Sequence, residues 1–460
     1  MEKIIALAKR RGFVYPSSAI YGGLANSYDY GPLGAELLKN LRDVWWQYFV
    51  HRREDIVGLD TQILQRPEVW VASGHVSAFV DPVVEDKVTH KRYRADHLIE
   101  DWFEKNKQEK INAGNLSLEQ MAELIKKHNI KSPDGNEVTD PKRFNLLFET
   151  SIGVVEGSKS IVYLRGETAQ GIFINFKNVL DSTRVKLPFG IAQIGKAFRN
   201  EVTTGQFVFR TLEFEQMEIE YFFNPDNDWR QYYDELKDYY YKFLTKIIQL
   251  SEKKLRWRLH SDEERSHYSK MTEDLEFQFS FGFKELLGYA YRTDYDLSAH
   301  LKHSNVDLSY TDPETNKKFI PHVIEPSIGL NRLFLAVLEN AYLQDSENDR
   351  VVLRLPFVIA PYKLAVFPLL ANKPDLLAKA RQIYQVVSQK YHCYWDDRGN
   401  IGKRYRYQDE IGTPYCVTVD FQSLQDNTVT VRDRDSMKQI RLSADKIISF
   451  IETENENSSK

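Results

Sequence analysis

Cysteine is nearly missing from the chain: of 460 residues only Cys393 and Cys416 carry a thiol. Two thiols cannot build a four-cysteine zinc site and give no disulfide framework, which points to a reducing compartment. No zinc is expected. Long apolar runs are missing as well. No stretch reaches the ~18–20 apolar residues of a membrane span. The opening MEKIIALAKRRGFVYPSS has no small-residue cleavage site. A soluble cytoplasmic protein with no membrane partner is expected. Neither charge is in large excess: 62 Lys and Arg against 66 Asp and Glu leave a net −4. Such a chain is no bulk polycation, so a nucleic-acid partner needs local basic patches.

Apolar residues make up 42% and aromatics 13%, enough for sizeable cores. The length predicts two or three domains. After Gly31-Pro32, Leu33, Leu37, Leu41, Val44, Trp45, Tyr48 and Phe49 recur at helical spacing, predicting a helix over 33–53 with Pro32 in its first turn. An extended segment follows and closes at Pro67. Residues 100–145 turn polar and lysine-rich. There Ser117 to Gln120 reads as a capping box and 132–135 as a turn, an inserted small helical piece. Strands are expected over 161–168, 189–201 and 207–223, a helix over 226–260, and extended pieces near 274–297 and 319–325. A helix follows Gly329. The polar break 344–350 is the expected domain boundary, with an α/β domain after it and a disordered tail at 453–460.

Segments 189–201 and 207–223 read as an antiparallel hairpin with its loop near 202–206. Side chains alternate along a strand, so Arg199 and Glu201 share one face. Arg210, Phe214, Gln216 and Glu218 share one face of the second strand. A solvent-facing strand with cross-strand ion pairs has the same pattern. Farther on, a strand carrying Glu325 is broken by Pro326, and Ser327 to Gly329 lead into a helix whose first turn holds Arg332. A helix start attracts anions, and an arginine there makes a phosphate pocket. A surface arginine after a glycine turn reads the same way.

Together these features resemble class II aminoacyl-tRNA synthetases. FRNE followed by a loop and FRTLEF is similar to motif 2, GLNR entering an apolar helix resembles motif 3, and the 33–53 helix through Pro67 resembles motif 1. YDYGPLG, YRADHL, FNLLF, LRGETAQGIF, EFEQME, RTDYDL, EPSIGLNR and IGKRYRYQDEIGTPYCVTVD narrow the resemblance to the homodimeric glycyl-tRNA synthetase family, from about residue 20 to 450.

The resemblance implies an α+β fold: a class II antiparallel sheet flanked by helices over 1–349, with insertions at about 100–145 and 225–265, then an α/β anticodon-binding domain over 350–452. It implies a dimer through motif 1. It implies ATP with Mg²⁺, glycine and tRNA(Gly) as reactants, with glycine activated to glycyl-adenylate and then moved to tRNA. Neither step demands a covalent enzyme intermediate, in keeping with arginines and acids and no Ser/His or Cys/His pair.

The implied ATP residues are Arg199, Asn200, Glu201, Phe209, Arg210, Thr211, Leu212, Glu213, Phe214, Glu285, Leu286, Gly329, Leu330, Asn331 and Arg332. Among them Arg199 takes the α-phosphate, Arg210 and Arg332 the far phosphates, Phe214 the adenine, and Glu285 the Mg²⁺. The implied glycine residues are Arg94, Glu167, Phe214, Glu215, Gln216, Met217, Glu218, Arg292, Glu325, Pro326, Ser327, Ile328 and Gly329. Glycine offers only an ammonium and a carboxylate, so an acidic pocket of Glu167, Glu218 and Glu325 with no room for a methyl is expected. Overfilling a tight pocket costs about 1–3 kcal/mol. A buried carboxylate paired with Arg165 is the other reading of Glu167. Lys403, Arg404 and Arg406, with Tyr405 and Tyr407 interleaved, and Arg432 and Arg434 are the candidate anticodon contacts. A non-catalytic RNA-binding relative and a synthetase for another small amino acid are the competing functions.

Overall fold

A computed structural model describes residues 1–109, 111–153, 160–202, 205–261 and 269–458. The strongest apolar periodicity becomes the helix Pro32–Trp46, continued by a π-turn at Gln47–His51. Leu33, Leu37, Leu41, Trp45 and Phe49 form its buried stripe. Gly34 is required there, because a Cβ at that position would lie 1.9 Å from the Phe13 carbonyl oxygen. Pro67 opens the short helix Pro67–Ala72. Its missing N–H and fixed φ suit a first helical turn.

The chain divides into two compact units, interleaved in sequence. One comprises Met1–Val57, Asn227–Tyr291 and Ile324–Lys460; the other comprises Gly58–Asp226 and Arg292–Val323.

In the second unit the strands Phe189–Phe198 and Glu213–Phe223 pair antiparallel, from Phe189 opposite Phe222 to Phe198 opposite Glu213. The helix Ala169–Ser182 lays Phe176 on Phe222, 4.7 Å between ring centres. The polar insertion is larger than a helical piece. Helices Ala95–Lys105 and Leu118–Lys127 accompany a three-stranded sheet of Arg92–Arg94, Val80–Glu85 and Lys142–Asn145. Val84, Ile99, Met121 and Ile125 give it a core of its own. The capping box of Ser117 and Gln120 forms, and the turn closes with Gly135 N–H donating to Ser132 O at 2.8 Å.

In the first unit the strands run in the order Leu255–Leu259, Met271–Phe279, Gly282–Thr293, His322–Gly329. Two expectations change here. The helix expected over 226–260 is Trp229–Lys242 with a π-turn, and Leu255–Leu259 is a strand whose apolar residues alternate. Pro326 does not break its strand, which runs through it to Gly329. The ring's φ suits an extended chain, and only one N–H is withheld. The break at 344–350 is a β-hairpin of Tyr342–Asp345 and Arg350–Leu353. In the second unit, part of the stretch expected to be extended is the helix Tyr295–Ser304.

The C-terminal sheet has the order Cys393–Trp395, Leu364–Pro368, Tyr415–Val419, Thr428–Asp433, Gln439–Ser443, its first three strands parallel. Helices Pro374–Val387 and Ile447–Ser458 cover one face through Leu376, Ile383 and Ile451. Ile401 and Tyr405 of the helix Ile401–Ile411 cover the other, against Ala365 and Phe367. Helix therefore occupies 453–458 of the stretch expected to be disordered; residues 459–460 lie outside the described ones. Cys393 and Cys416 are buried free thiols, and burial pushes Cys393 up to about 12. No helix among the described residues is long and apolar enough to cross a membrane.

Candidate active site

The hairpin's first strand stops at Phe198, so Arg199 and Glu201 are not placed by strand alternation. The backbone beyond is held instead by Arg199 N–H donating to Leu212 O at 2.9 Å and Asn200 N–H to Leu146 O at 2.8 Å. Phe207–Phe209 is a 3₁₀ turn, and Arg210 leaves it extended; Thr203 and Thr204 of this loop lie outside the described residues. Thr211 Oγ1 donates to Glu213 O at 2.7 Å, and Glu213 pairs with Lys196. Arg199 donates Nε to Gly166 O at 2.9 Å. Its guanidinium lies 5.1 Å from the Phe79 ring centre and 5.2 Å from that of Phe214. No other protein acceptor among the described residues takes its terminal nitrogens. Arg210 and Glu201 stand 3.9 Å apart, a loose pair.

The acids of this unit are more tightly held. Glu218 is 1% exposed on the strand Glu213–Phe223 and accepts a hydrogen bond from Thr168 Oγ1. Gln216 and Phe214 share its side; Glu215 and the buried Met217 alternate to the other. Glu167 is not paired with Arg165, which donates to Lys196 O at 2.5 Å and Thr61 O at 2.7 Å. Glu167 meets His75 at 3.3 Å and accepts from Gln170 Nε2 at 3.0 Å. Burial alone would push this carboxyl up, but His75, Arg292 and Gln170 hold it below the usual carboxylate range.

Two expected glycine contacts already hold protein carboxylates. Arg292 is 1% exposed, with Nε and Nη2 each 2.8 Å from Asp296. Asp296 also accepts from Gln170 at 3.0 Å, which makes Arg292 and Asp296 a buried pair beside Glu167. Arg94 binds Asp81 at 2.9 Å and Asp96 through Nε at 3.0 Å. Two carboxylates already balance its charge.

In the other unit Glu285 lies in the strand Gly282–Thr293, within a stretch expected to be extended. Glu276 faces Glu285 and Leu275 faces Leu287, leaving the buried Leu286 as the extra residue of a bulge. Arg332, in the first turn of the helix Leu330–Ala341, donates Nη1 to Glu285 O at 3.1 Å and lies 3.1 Å from its Oε2. Asn331 donates to Tyr30 Oη at 2.5 Å, a tie within the fold. Glu325, Ser327 and Gly329 alternate as half-buried residues with buried Pro326, Ile328 and Leu330. Those three partly accessible positions share one strand face.

Three of the five anticodon candidates are buried on protein acceptors. Arg404 is 2% exposed and donates to Pro368 O at 2.5 Å and Gly399 O at 2.9 Å. Arg432 is bidentate to Asp409 at 2.8 and 3.0 Å. Arg434 donates to Leu355 O and Gly412 O. Their charges serve buried acceptors. Lys403 is exposed, and Arg406 is exposed beside Asp349.

A family model described as "tRNA synthetase class II core domain (G, H, P, S and T)" matches residues 154–341, and one described as "Anticodon binding domain" matches 363–454. The glycine–tRNA ligase of Acetivibrio thermocellus is 52% identical over 459 residues, spanning 98% of each chain. That of Clostridium tetani is 50% identical over 458 residues, 98% of this chain and 97% of its own. The chain belongs to the glycine–tRNA ligase family. A prolyl-tRNA synthetase structure from Cryptosporidium parvum, complexed with halofuginone and AMPPNP, matches with a TM-score of 0.63 at 13% identity. It covers 99% of this chain and 77% of that one, a likeness of fold alone.

Within this ligase family frame, several polar partners are ones that sequence reading did not reach: His75 and Gln170 on Glu167, Thr168 on Glu218, Asp296 on Arg292, and Asp81 and Asp96 on Arg94. Thr168 and Gln170 sit inside LRGETAQGIF and were within reach as its neighbours. His75, in SGHVSAF, carries no spacing signal. It is joined to Glu167 only by the fold.

Proposed function

We propose that this chain activates glycine with ATP, releasing pyrophosphate, and transfers the glycyl group to the terminal ribose of tRNA(Gly). The glycine carboxylate attacks the α-phosphorus; the ribose hydroxyl then attacks the adenylate carbonyl and AMP leaves. Both steps build negative charge on oxygen, which positioned guanidiniums stabilise.

The observation that carries this reading is Arg199. Its Nε is fixed on Gly166 O and its plane rests between Phe79 and Phe214. The forked end is thereby presented to an anion, which suits the α-phosphate. Phe214 offers its ring to adenine. Arg210 and Arg332 are assigned the outer phosphates, each now on a carboxylate it would exchange for phosphate oxygen: Glu201 for Arg210, Glu285 for Arg332.

The residues fit a Mg²⁺ that accompanies ATP. Glu285 supplies a hard, half-exposed carboxylate, while Glu276 opposite it in register is taken by Arg256 and Arg258. When bound, the ion would neutralise phosphate charge, with Glu285 as its protein ligand. Glu218, Glu167 and Glu325 are assigned the glycine ammonium, and Ser327 the wall that a β-carbon would strike.

For the RNA, the buried Arg404 becomes a staple. It ties Pro368 O to Gly399 O, at the carboxyl ends of parallel strands where open α/β sheets bind ligands. Exposed Phe421, Arg398 and Lys403 lie in or beside these loops and are assigned the anticodon bases and phosphates. A homodimer is proposed as well. Ile20 and Tyr21, 88% and 86% exposed just before the Pro32–Trp46 helix, supply apolar area for a second copy.

Charging of a tRNA(Gly) transcript tests the reading. Purified protein with ATP, Mg²⁺ and glycine is expected to form glycyl-tRNA. RNA binding without charging would support the non-catalytic alternative.

A further inference from the structure

We propose that His75 is a positioning residue that sets how strongly Glu167 attracts the α-ammonium of glycine, making glycine capture dependent on the charge of one imidazole. This rests on the reading of Glu167 as an ammonium ligand.

The two oxygens of Glu167 are not equivalent. Oε1 accepts from Gln170 Nε2 at 3.0 Å. The amide of Gln170 is locked, since the same Nε2 reaches Asp296 at 3.0 Å and its Oε1 accepts from His300 Nε2 at 2.8 Å. Oε2 faces His75 Nε2 at 3.3 Å. That is longer than the ~2.7–2.9 Å of a closed charge-assisted bond, so this is the oxygen with capacity for a cation. His75 follows the left-handed Gly74. Its ring stands edge-on to Trp70 and Phe79 at 5.2 and 5.3 Å, and Nδ1 lies 2.8 Å from Ser73 Oγ. Ring orientation is thus fixed, and only protonation can vary.

The charged neighbours are few. Glu167 faces His75 directly, and His300 acts on it from the helix Tyr295–Ser304, which also carries His303. Burial pushes His300 below its ordinary value, so it stays a neutral donor to Gln170. Arg292, paired with Asp296 in the next layer, also acts on Glu167. On the helix Pro67–Ala72, Glu68 pairs with Arg66 at the surface.

The two states of His75 differ in sign. Neutral His75 with its proton on Nε2 gives Oε2 one hydrogen bond and leaves the carboxylate its full charge for an ammonium. Imidazolium cancels that charge and repels a second cation. Glycine's own ammonium does not titrate near neutrality, so a pH dependence of glycine capture there reports on the imidazole facing Oε2.

Glycine-dependent ATP–pyrophosphate exchange at saturating ATP and Mg²⁺, from roughly pH 5.5 to 8, reads the effect. Wild-type KM for glycine is expected to rise about tenfold per unit below the imidazole's pKa, as a single competing protonation requires. His75→Gln keeps one neutral donor and should lose that slope; His300→Gln should keep it. A wild-type slope retained in His75→Gln, or no slope in wild type, overturns the proposal. An NMR titration of the wild-type imidazole covers the case of a variant that fails to fold. By reciprocal linkage bound glycine must lower the pKa of His75, and an unchanged or raised value overturns the proposal equally. Glu167→Gln separates the two layers: an unaltered glycine KM in that variant removes Glu167 as the ammonium ligand, whatever His75 does.

Discussion

Asp409 is 1% exposed and takes two guanidiniums, Arg350 at 3.0 Å and Arg432 at 2.8 and 3.0 Å. Asp409→Ala leaves both cations buried without their shared anion. Breaking a buried pair costs about 3–5 kcal/mol, so the denaturation midpoint should fall sharply while Lys403→Ala leaves it unchanged and weakens tRNA binding. Glu218→Gln keeps shape and removes charge. A hydrogen bond to a charged group is worth about 1.5–3 kcal/mol, so glycine kcat/KM should drop roughly tenfold to a hundredfold with ATP affinity near normal. Near-normal glycine-dependent pyrophosphate exchange would refute the assignment. Strand alternation was enough to put Phe214, Gln216 and Glu218 on one side. Sorting buried from exposed arginines was out of reach, because Arg432 finds its anion 23 positions away on another element.

Elements with a strong apolar stripe were legible; elements stabilised by polar burial were not. The Pro32–Trp46 helix shows its buried face directly in the sequence. Tyr295–Ser304 buries Asp296, Leu297 and His300, so two of its three core residues are polar and hydrophobic periodicity is silent there. Leu255–Leu259 alternates as a strand should, but it follows a long helical run that masked it. Two substitutions test the local physics. Gly34→Ala places a methyl 1.9 Å from Phe13 O, and the overpacking should cost about 1–3 kcal/mol or more, read by chemical denaturation. Ser117→Ala removes one side of an observed capping box. It should cost about 1 kcal/mol, seen as faster hydrogen exchange over 118–127 with charging activity intact.

For the whole molecule, sequence order and spatial grouping diverge. A linear reading cuts the chain at 344–350, yet Ile324–Lys460 groups with Met1–Val57 and Asn227–Tyr291. Ties such as Arg10 and Arg11 on Glu410, at 3.0 and 2.5 Å, join residues about 400 positions apart, and no local signal encodes them. The proposed dimer predicts a solution mass of twice 53.9 kDa by light scattering, lowered toward one copy by Ile20→Asp with Tyr21→Asp. The central claim is that this chain selects glycine and activates it with ATP. ATP–pyrophosphate exchange measured in parallel with glycine, alanine, serine, proline and threonine tests it most directly. The account predicts exchange with glycine alone; exchange with another of these amino acids in its place, or with none, would contradict it.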